Sequence, residues 1–436
     1  MKLRSLFSMT AVIMLCLPVL AWAQQGSAEQ QGGMAQSLTL EVAIKEALIA
    51  NPGLAATQAQ AEAMAAMPPQ AGSLPDPMVS LNLINIPTDT FAFDQENMTQ
   101  VRLGFSQMFP YPGKLDLKEK AATHEAQAAS QNVDETRLQL THNVKNIWWR
   151  LFSLDRALEI IDQNKRLLHQ FVEIALTKYK VGKGLQQDVL LAQLEASKLE
   201  DRKINVRNMR REAEARLNAL LNRPTDQSIE IPREVKLQLP RLLPEAELLR
   251  VAERTRPALM FAQRRIDAAR ARLDLANKGY YPDFKVGLAY GRRENAPDGR
   301  KRADFATVML SMSVPLYSGS KQDKAVDQRS SELMQRKYAL DALRNKVRAA
   351  ISRSWSEYRR SSEQFELFKT GIVPQARQTV SSMLAGYQVN KVDFLNLVRS
   401  QITLYNYEIN YWRALSEANQ ALAKLAAAVG KETIHE

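Results

Sequence analysis

Between Lys114 and Val181 the apolar residues step by four and three: Ile147, Leu151, Leu154, Leu158 and Ile161, then Leu168, Val172 and Tyr179. That spacing is the narrow seam of a coiled coil, not the broad stripe of a globular surface helix. These sixty-eight residues hold neither glycine nor proline, so nothing interrupts a helical pattern. At about 1.5 Å per residue the helix is roughly 100 Å long. Val181-Gly182-Lys183-Gly184 ends it, and a second helical pattern runs to Asn222. There Leu199, Val206, Ala213 and Leu220 keep the heptad, with Met209 and Leu217 between them. A short tip between two long helices predicts an antiparallel helical hairpin.

Upstream the period changes. Helical pattern starts at Thr39, a predicted N-cap, is broken at Asn51-Pro52 and ends near Met67, before Pro68, Pro69, Pro75 and Pro77. Val79, Leu81 and Leu83 then alternate with polar residues, as do Val101, Leu103 and Phe105 after a polar loop, so two strands are predicted. The second half repeats these landmarks. Asn51-Pro52 is answered by Arg256-Pro257 at an offset of 205, Pro75-Asp76 by Pro282-Asp283 at 207, and Tyr179-Lys180-Val181 by Tyr387-Gln388-Val389 at 208. The chain therefore reads as an internal duplication. The first repeat covers 39–222, with strands near 78–86 and 100–109, a long helix over 114–181 and a tip at 181–184. A proline-rich connector follows at 223–243. The second repeat covers 244–430, with strands near 283–293 and 303–315, a long helix over 321–388, a tip at 388–393 and a tail at 431–436. Gly371 and Pro374 predict a kink before the second tip.

The fold class is thus mainly α with a small β part. Strands of about ten residues match the roughly 9 to 11 that a tilted transmembrane strand needs. Four strands cannot close a barrel, and an open edge in lipid costs several kcal/mol for each unpaired backbone group. Other copies must complete the sheet: two give eight strands with a filled lumen, three give twelve with room for water. A soluble sheet capping a coiled coil is the alternative.

Composition narrows the setting. Lys2 and Arg4, an apolar run from Leu6 to Leu20 and Ala21-Trp22-Ala23 read as a signal peptide over 1–23, followed by a flexible leader over 24–38. The one cysteine, Cys16, lies in that run behind Leu15, where a lipoprotein signal needs a small residue, so no lipid anchor is expected. The net charge of +12, which falls to +10 without Lys2 and Arg4, is spread among interleaved acids and bases, which argues against nucleic acid as a partner.

The tips Tyr179-Lys180-Val181-Gly182, with Asp188 and Leu190, and Tyr387-Gln388-Val389-Asn390, with Asn396, carry a further signal. With the duplication, with Ala219-Leu220-Leu221-Asn222-Arg223-Pro224 and with Pro374-Gln375-Ala376, they resemble the TolC-like outer-membrane efflux family. Leu74-Pro75-Asp76-Pro77 and Phe109-Pro110-Tyr111-Pro112-Gly113-Lys114 look like its CzcC/CusC-type heavy-metal branch. The resemblance implies a homotrimer in the outer membrane of a Gram-negative bacterium, a twelve-stranded β-barrel on a twelve-helix α-barrel. It implies a passive conduit for heavy-metal cations, docked on a periplasmic adaptor (membrane-fusion) protein and an inner-membrane pump of RND type. Multidrug or solvent efflux and type I protein secretion are the alternatives within the class; a structural or adhesive coiled coil without a pore lies outside it. By the same resemblance Val181, Gly182, Lys183, Val389, Asn390 and Lys391 contact the adaptor, and Tyr387, Asn396 and Arg399 lie at the periplasmic gate. Related channels carry gate aspartates where Asn396 and Arg399 stand, so Arg399 either seals the entrance through ion pairs or repels cations.

The hairpin loops are expected outside. Arg292, Arg293, Arg300, Lys301 and Arg302 of the second read as solvated loop charge; the alternative is that they pair with Asp89, Asp94 and Glu96 of the first loop, in the same or a neighbouring copy, or with the phosphates of outer-membrane lipid. No enzyme motif and no cofactor site appear. No metal site is found either. His124 and His142 are about 27 Å apart on a helix. Met309 and Met312 point to opposite faces of a strand, and Met64 with Met67 is explained by packing.

Overall fold

The computed structural model describes residues 37–432 and 434. The expected signal peptide, the absence of a lipid anchor and nearly all of the leader fall outside the described residues. Three short helices come first: α1 (Leu40–Ala50), α2 (Pro52–Ala65) and α3 (Met67–Gly72). The Thr39 hydroxyl caps α1 by accepting from Val42 N at 3.3 Å, and Asn51 caps α2 by accepting from Leu54 N at 3.1 Å. Pro68 and Pro69 do not end the helical pattern as expected. They start α3, because a proline in a first turn lacks only an N–H that has no helical partner there.

Strands β1 (Met78–Ile84) and β2 (Gln100–Phe109) follow, then α4 (Lys114–Lys180) and α5 (Gln186–Leu220). After the connector come α6 (Glu245–Thr255), α7 (Pro257–Asn277), β3 (Phe284–Arg292), β4 (Phe305–Met312), α8 (Gln322–Leu367), α9 (Val373–Gln388) and α10 (Phe394–Val429). Strand β1 stops at Ile84, two residues short of expectation, because Asn85 takes a left-handed φ of 54°. The helix expected over 321–388 is not one α-helix. A π-helical turn, Phe368–Ile372, separates α8 from α9. Pro374 explains it: the ring removes an amide donor and collides with the preceding turn, and a wider turn absorbs both.

The four strands form one antiparallel sheet in the order β1-β2-β3-β4. Val79 pairs with Phe105 and Phe105 with Leu288, while Leu288 pairs with Val308, so these apolar residues share one face. Leu81, Leu103 and Tyr290 form the adjoining row. This face is exposed, Val308 and Leu310 each at 75%. The opposite face carries Ser80, Asn82, Arg102, Gly104, Ser106, Gly287, Ala289, Gly291 and Thr307. A Cβ on Gly104 would lie 2.7 Å from Ser80 Oγ, which confirms that these two share the polar side.

Along α4 the buried positions Ala157, Ile161, Asn164, Leu168, Phe171 and Ala175 keep the four-three rhythm. The seam therefore runs one residue away from the expected Leu158, Val172 and Tyr179. Leu158 and Val172 are half-buried, and Tyr179 is exposed where α5 leaves the helix. In α5 Leu199, Val206, Ala213 and Leu217 are buried as expected, but Met209 is exposed. Asn164 survives in the apolar seam because it is satisfied: its amide donates to Ile160 O at 3.0 Å, and its Oδ1 accepts from Gln401 Nε2 at 2.6 Å. Further along α4, Trp148, Trp149 and Phe152 pack with Trp412 of α10. Trp148 Nε1 donates to Leu38 O at 2.9 Å, which pins the start of the described chain to the core.

Two ties close the ends of the returning helices. Asn51 Nδ2 donates to Leu220 O at 3.0 Å, and Thr255 Oγ1 donates to Val429 O at 3.0 Å. In each case the break between two short helices satisfies a carbonyl at a long helix's C-terminal end.

Gln401→Leu is expected to destabilise the protein by about 1–3 kcal/mol, because Asn164 Oδ1 loses its donor in the seam. Combining it with Asn164→Leu is expected to recover most of that loss. Thermal midpoints of the single and double variants test this; purely additive losses would show that the pair is not coupled.

Candidate functional site at the interhelical tips

Both long hairpins end in the same backbone device. At the first tip Lys183 N donates to Lys178 O at 2.8 Å and Gly182 N to Tyr179 O at 3.0 Å. At the second, Lys391 N donates to Gly386 O at 2.8 Å and Asn390 N to Tyr387 O at 3.2 Å. This is the Schellman closure of a helix end, which needs one residue in the left-handed region. Gly182 (φ 70°) and Asn390 (φ 60°) supply it, and asparagine is the side-chain-bearing residue that tolerates it best. The preceding valines agree closely, Val181 at φ −95° and ψ 14° and Val389 at −96° and 13°. Each turn also presses one small residue against a larger one. A Cβ on Gly184 would lie 2.8 Å from Lys178 Cβ, and one on Gly386 would lie 2.6 Å from Val392 Cγ2.

Lys178 joins the tips. Its Nζ donates to Tyr387 O at 2.5 Å and to Asn390 Oδ1 at 2.7 Å, and lies 4.0 Å from the centre of the Tyr387 ring. Tyr387 is buried between the hairpins, and its hydroxyl has no partner among the described residues. Burial pushes the Tyr387 hydroxyl up from the usual tyrosine range, and the nearby Asp188 carboxylate adds to this. Burial also raises the Asp188 carboxyl, with a smaller push from Asp393, while a backbone bond at Leu185 and Lys178 act against it. A cleft of about 480 Å³ opens between the tips, lined by Lys178, Lys183, Asp188, Tyr387, Lys391 and Asp393 among others.

The expected docking residues Val181, Lys183, Val389 and Lys391 are all exposed, with Gly182 and Asn390 at the turns between them. The three expected gate residues differ in their surroundings. Tyr387 is buried. Asn396 serves the cap of α10: Asp393 Oδ1 accepts from Asn396 N at 2.8 Å, and the Asn396 amide donates to Asp393 Oδ2 at 2.7 Å. Arg399 is exposed and makes no ion pair among the described residues. Lys178 was not singled out from the sequence. It looks like one more lysine on a solvated helix end, and its partners lie more than two hundred residues away.

At the far end of the sheet the two strand loops meet, though not through opposite charges. Arg302 Nη1 donates to Asp94 O at 2.9 Å and Glu96 O at 3.1 Å, and Arg293 Nη1 to Asn97 O at 3.0 Å, all backbone carbonyls. Arg300 pairs with Asp298 of its own loop at 2.7 Å, and Lys301 is exposed. Among the described residues no group of three His, Cys, Asp or Glu side chains is placed to hold a metal ion, and no helix is long and apolar enough to cross a membrane.

With this geometry the chain was compared with known proteins. The family model for outer membrane efflux proteins matches residues 43–223 and 248–431. The cobalt-zinc-cadmium resistance protein CzcC of Cupriavidus metallidurans is 20% identical over 397 residues, 90% of either chain. The alkaline protease secretion protein AprF of Pseudomonas aeruginosa is 22% identical over 57% of this chain and 52% of its own. The crystal structure of the outer membrane protein VceC of Vibrio cholerae superposes with a TM-score of 0.76 at 19% identity, covering 90% of this chain and 97% of that one. The family is one of channels, which leaves no enzymatic role. The match covers most of the chain on both sides of the connector, and the protein belongs to the TolC-like outer membrane efflux family.

Proposed function

We propose that three copies of this chain form one channel, in which twelve strands close a barrel in the outer membrane and twelve long helices continue it through the periplasm. The observation that carries this is the sheet. Its exposed apolar face, with Val79, Leu81, Leu103, Phe105, Leu288, Val308 and Leu310, suits lipid, and its other face is polar and rich in glycine. Small residues on one face and bulky ones on the other let strands curl toward the small side, the direction that closure requires. The outer edges of β1 and β4 are unpaired among the described residues, and pairing β4 of one copy with β1 of the next would leave no edge open in lipid. Reading the chain as a duplicated unit fits the same scheme, since each repeat then contributes one β-hairpin and one helical hairpin.

The conduit is passive and leads from a periplasmic adaptor, itself bound to an inner-membrane pump of RND type. The tips suit adaptor docking. Val181 and Val389 are exposed at 63% and 62% beside lysines, an apolar knob with a charged rim at each turn. Heavy-metal cations are the proposed cargo, supported by the 20% identity to CzcC across nearly all of both chains. The similarity to AprF favours protein secretion as the second reading, but it covers only about half of either chain. Arg399, exposed near the second tip, seals the periplasmic entrance by ion pairs between copies or sets its selectivity against cations.

Three outcomes are expected. Unheated protein in detergent migrates as a trimer that heating dissociates, and the same material conducts in planar bilayers; a monomer without conductance would refute the channel reading. Arg399→Ala changes single-channel conductance or cation selectivity at least about two-fold, since a charge at a constriction acts on ions at short range; an unchanged recording removes Arg399 from the gate. Cells lacking the channel accumulate more metal than wild type under zinc, cobalt, cadmium or copper stress, as read by elemental analysis. Unchanged metal together with accumulation of drugs or of an unsecreted polypeptide would favour the other cargoes.

A further inference from the structure

None of the four strands carries an aspartate or a glutamate. Their charged residues are Arg102, Lys285 and Arg292, all cationic. Register divides these between the two faces. Arg102 pairs with Asn82 and Gly291, and Lys285 with Met108 and Ser311, so both stand on the polar face. Arg292 pairs with Val101 on the apolar one. Met108, the partner of Lys285, lies six residues from Arg102, which sets the two cations at levels about 20 Å apart along the strands. Arg102 stands near the loop end of β2, and Lys285 near the helix end of β3.

No carboxylate among the described residues offsets this pair. The ion pairs around the sheet are Lys114–Asp283, Arg292–Glu294 and Arg300–Asp298, and neither cation takes part in them. The Nε of Arg102 is buried with no hydrogen-bond partner among the described residues. Acids next to the strands are engaged elsewhere. Asp283 pairs with Lys114 at 2.7 Å and also accepts from Tyr111 N at 2.7 Å. Asp304 accepts from Arg293 N at 2.9 Å and from the hydroxyl of Tyr290, which lies on the apolar face opposite Leu103.

We infer that three copies of Arg102 and three of Lys285 ring the lumen near its two ends and make the barrel anion-selective, so that a metal cargo crosses it as a complex without net positive charge, such as a carboxylate chelate. This rests on the trimeric channel proposed above and narrows the form in which its cargo travels. Twelve strands about 4.8 Å apart and tilted near 40° enclose a backbone radius of roughly 12 Å. At 0.1 M salt the Debye length is about 10 Å, so the wall charges reach most of that width; at 1 M it is about 3 Å and they do not. Rings of arginine and lysine select anions in pores, and low-dielectric walls focus their field on the water between them. A free divalent cation meets about twice the repulsion of a potassium ion at each ring, whereas a complex of negative net charge is drawn in.

The test is the reversal potential of the intact trimer in planar bilayers under a potassium chloride gradient. Each protein is also measured with Arg399→Ala, so that the periplasmic entrance does not set the sign. Near 0.1 M, chloride is expected to permeate at least about three-fold better than potassium, and near 1 M the ratio should fall toward unity. Arg102→Glu with Lys285→Glu should reverse the preference at low salt, while the charge-keeping exchange Arg102→Lys with Lys285→Arg should retain it. If the glutamate variant fails to assemble, Arg102→Gln with Lys285→Gln should bring the ratio close to unity. In proteoliposomes at low salt, zinc citrate should enter at least about three-fold faster than zinc nitrate at equal zinc. A conducting trimer that prefers potassium or neither ion, a preference that persists at 1 M or survives removal of both charges, or zinc nitrate entering as fast as zinc citrate would overturn the inference and leave the channel reading intact. Absence of conductance in every form of the protein would overturn both.

Discussion

The backbone N–H and C=O groups along the outer edges of β1 and β4 are the constraint on which the rest depends. Antiparallel pairing gives β2 and β3 a neighbouring strand on both sides and leaves each outer strand with one open side among the described residues. In water such an edge is tolerable. Next to hydrocarbon it is not, since each unpaired group costs several kcal/mol, far more than a surface contact returns. In the proposed channel the apolar side chains of the exposed face lie in hydrocarbon, and the open edges then call for another copy beside them.

The helical tips show how much sequence freedom one backbone solution allows. The two turns share their hydrogen bonds and the dihedral angles of Val181 and Val389 to within a degree. What differs is which partner in each tight contact is small: Gly184 against Lys178 in one, Gly386 against Val392 in the other. The first tip keeps a long side chain before its turn, and that lysine reaches across to the second. Because Gly386 is the small partner at the second tip, only the first tip carries a lysine at this position to form the bridge. The asymmetry is thus a consequence of packing at a single position, and it yields a charged link anchored on the left-handed Asn390.

The strands and long helices were largely legible in the sequence, because periods of two and three and a half are local signals. The register of the α4 seam was not. Alanines 157 and 175 carry little hydrophobic signal, and Asn164 reads as solvent-facing, so Leu158, Val172 and Tyr179 took their place in the pattern. Only Gln401, 237 residues away, makes Asn164 acceptable inside, and no local window holds both. Lys178 escaped for the same reason. Conversely, Asn51-Pro52 was visible as a helix break, but its tie to Leu220 O exists only once α5 has returned to it. The candidate site was legible as turns and illegible as a contact between turns.

The buried Asn164–Gln401 pair has a consequence for how the two helical hairpins align. An apolar seam of leucines and alanines packs nearly as well when one helix slides by a turn, since a step of three or four residues returns a similar face. A single satisfied polar pair removes that degeneracy, because any slip leaves an amide buried without a partner, at about 1–3 kcal/mol. α4 and α10 meet at this layer, and they belong to different hairpins. The layer therefore fixes the axial height of the second tip against the first. Lys178 spans the tips only at that height, with Nζ held between a carbonyl and an amide oxygen. Two weak polar contacts, one in the seam and one at the end, thus set together what dozens of apolar contacts leave free.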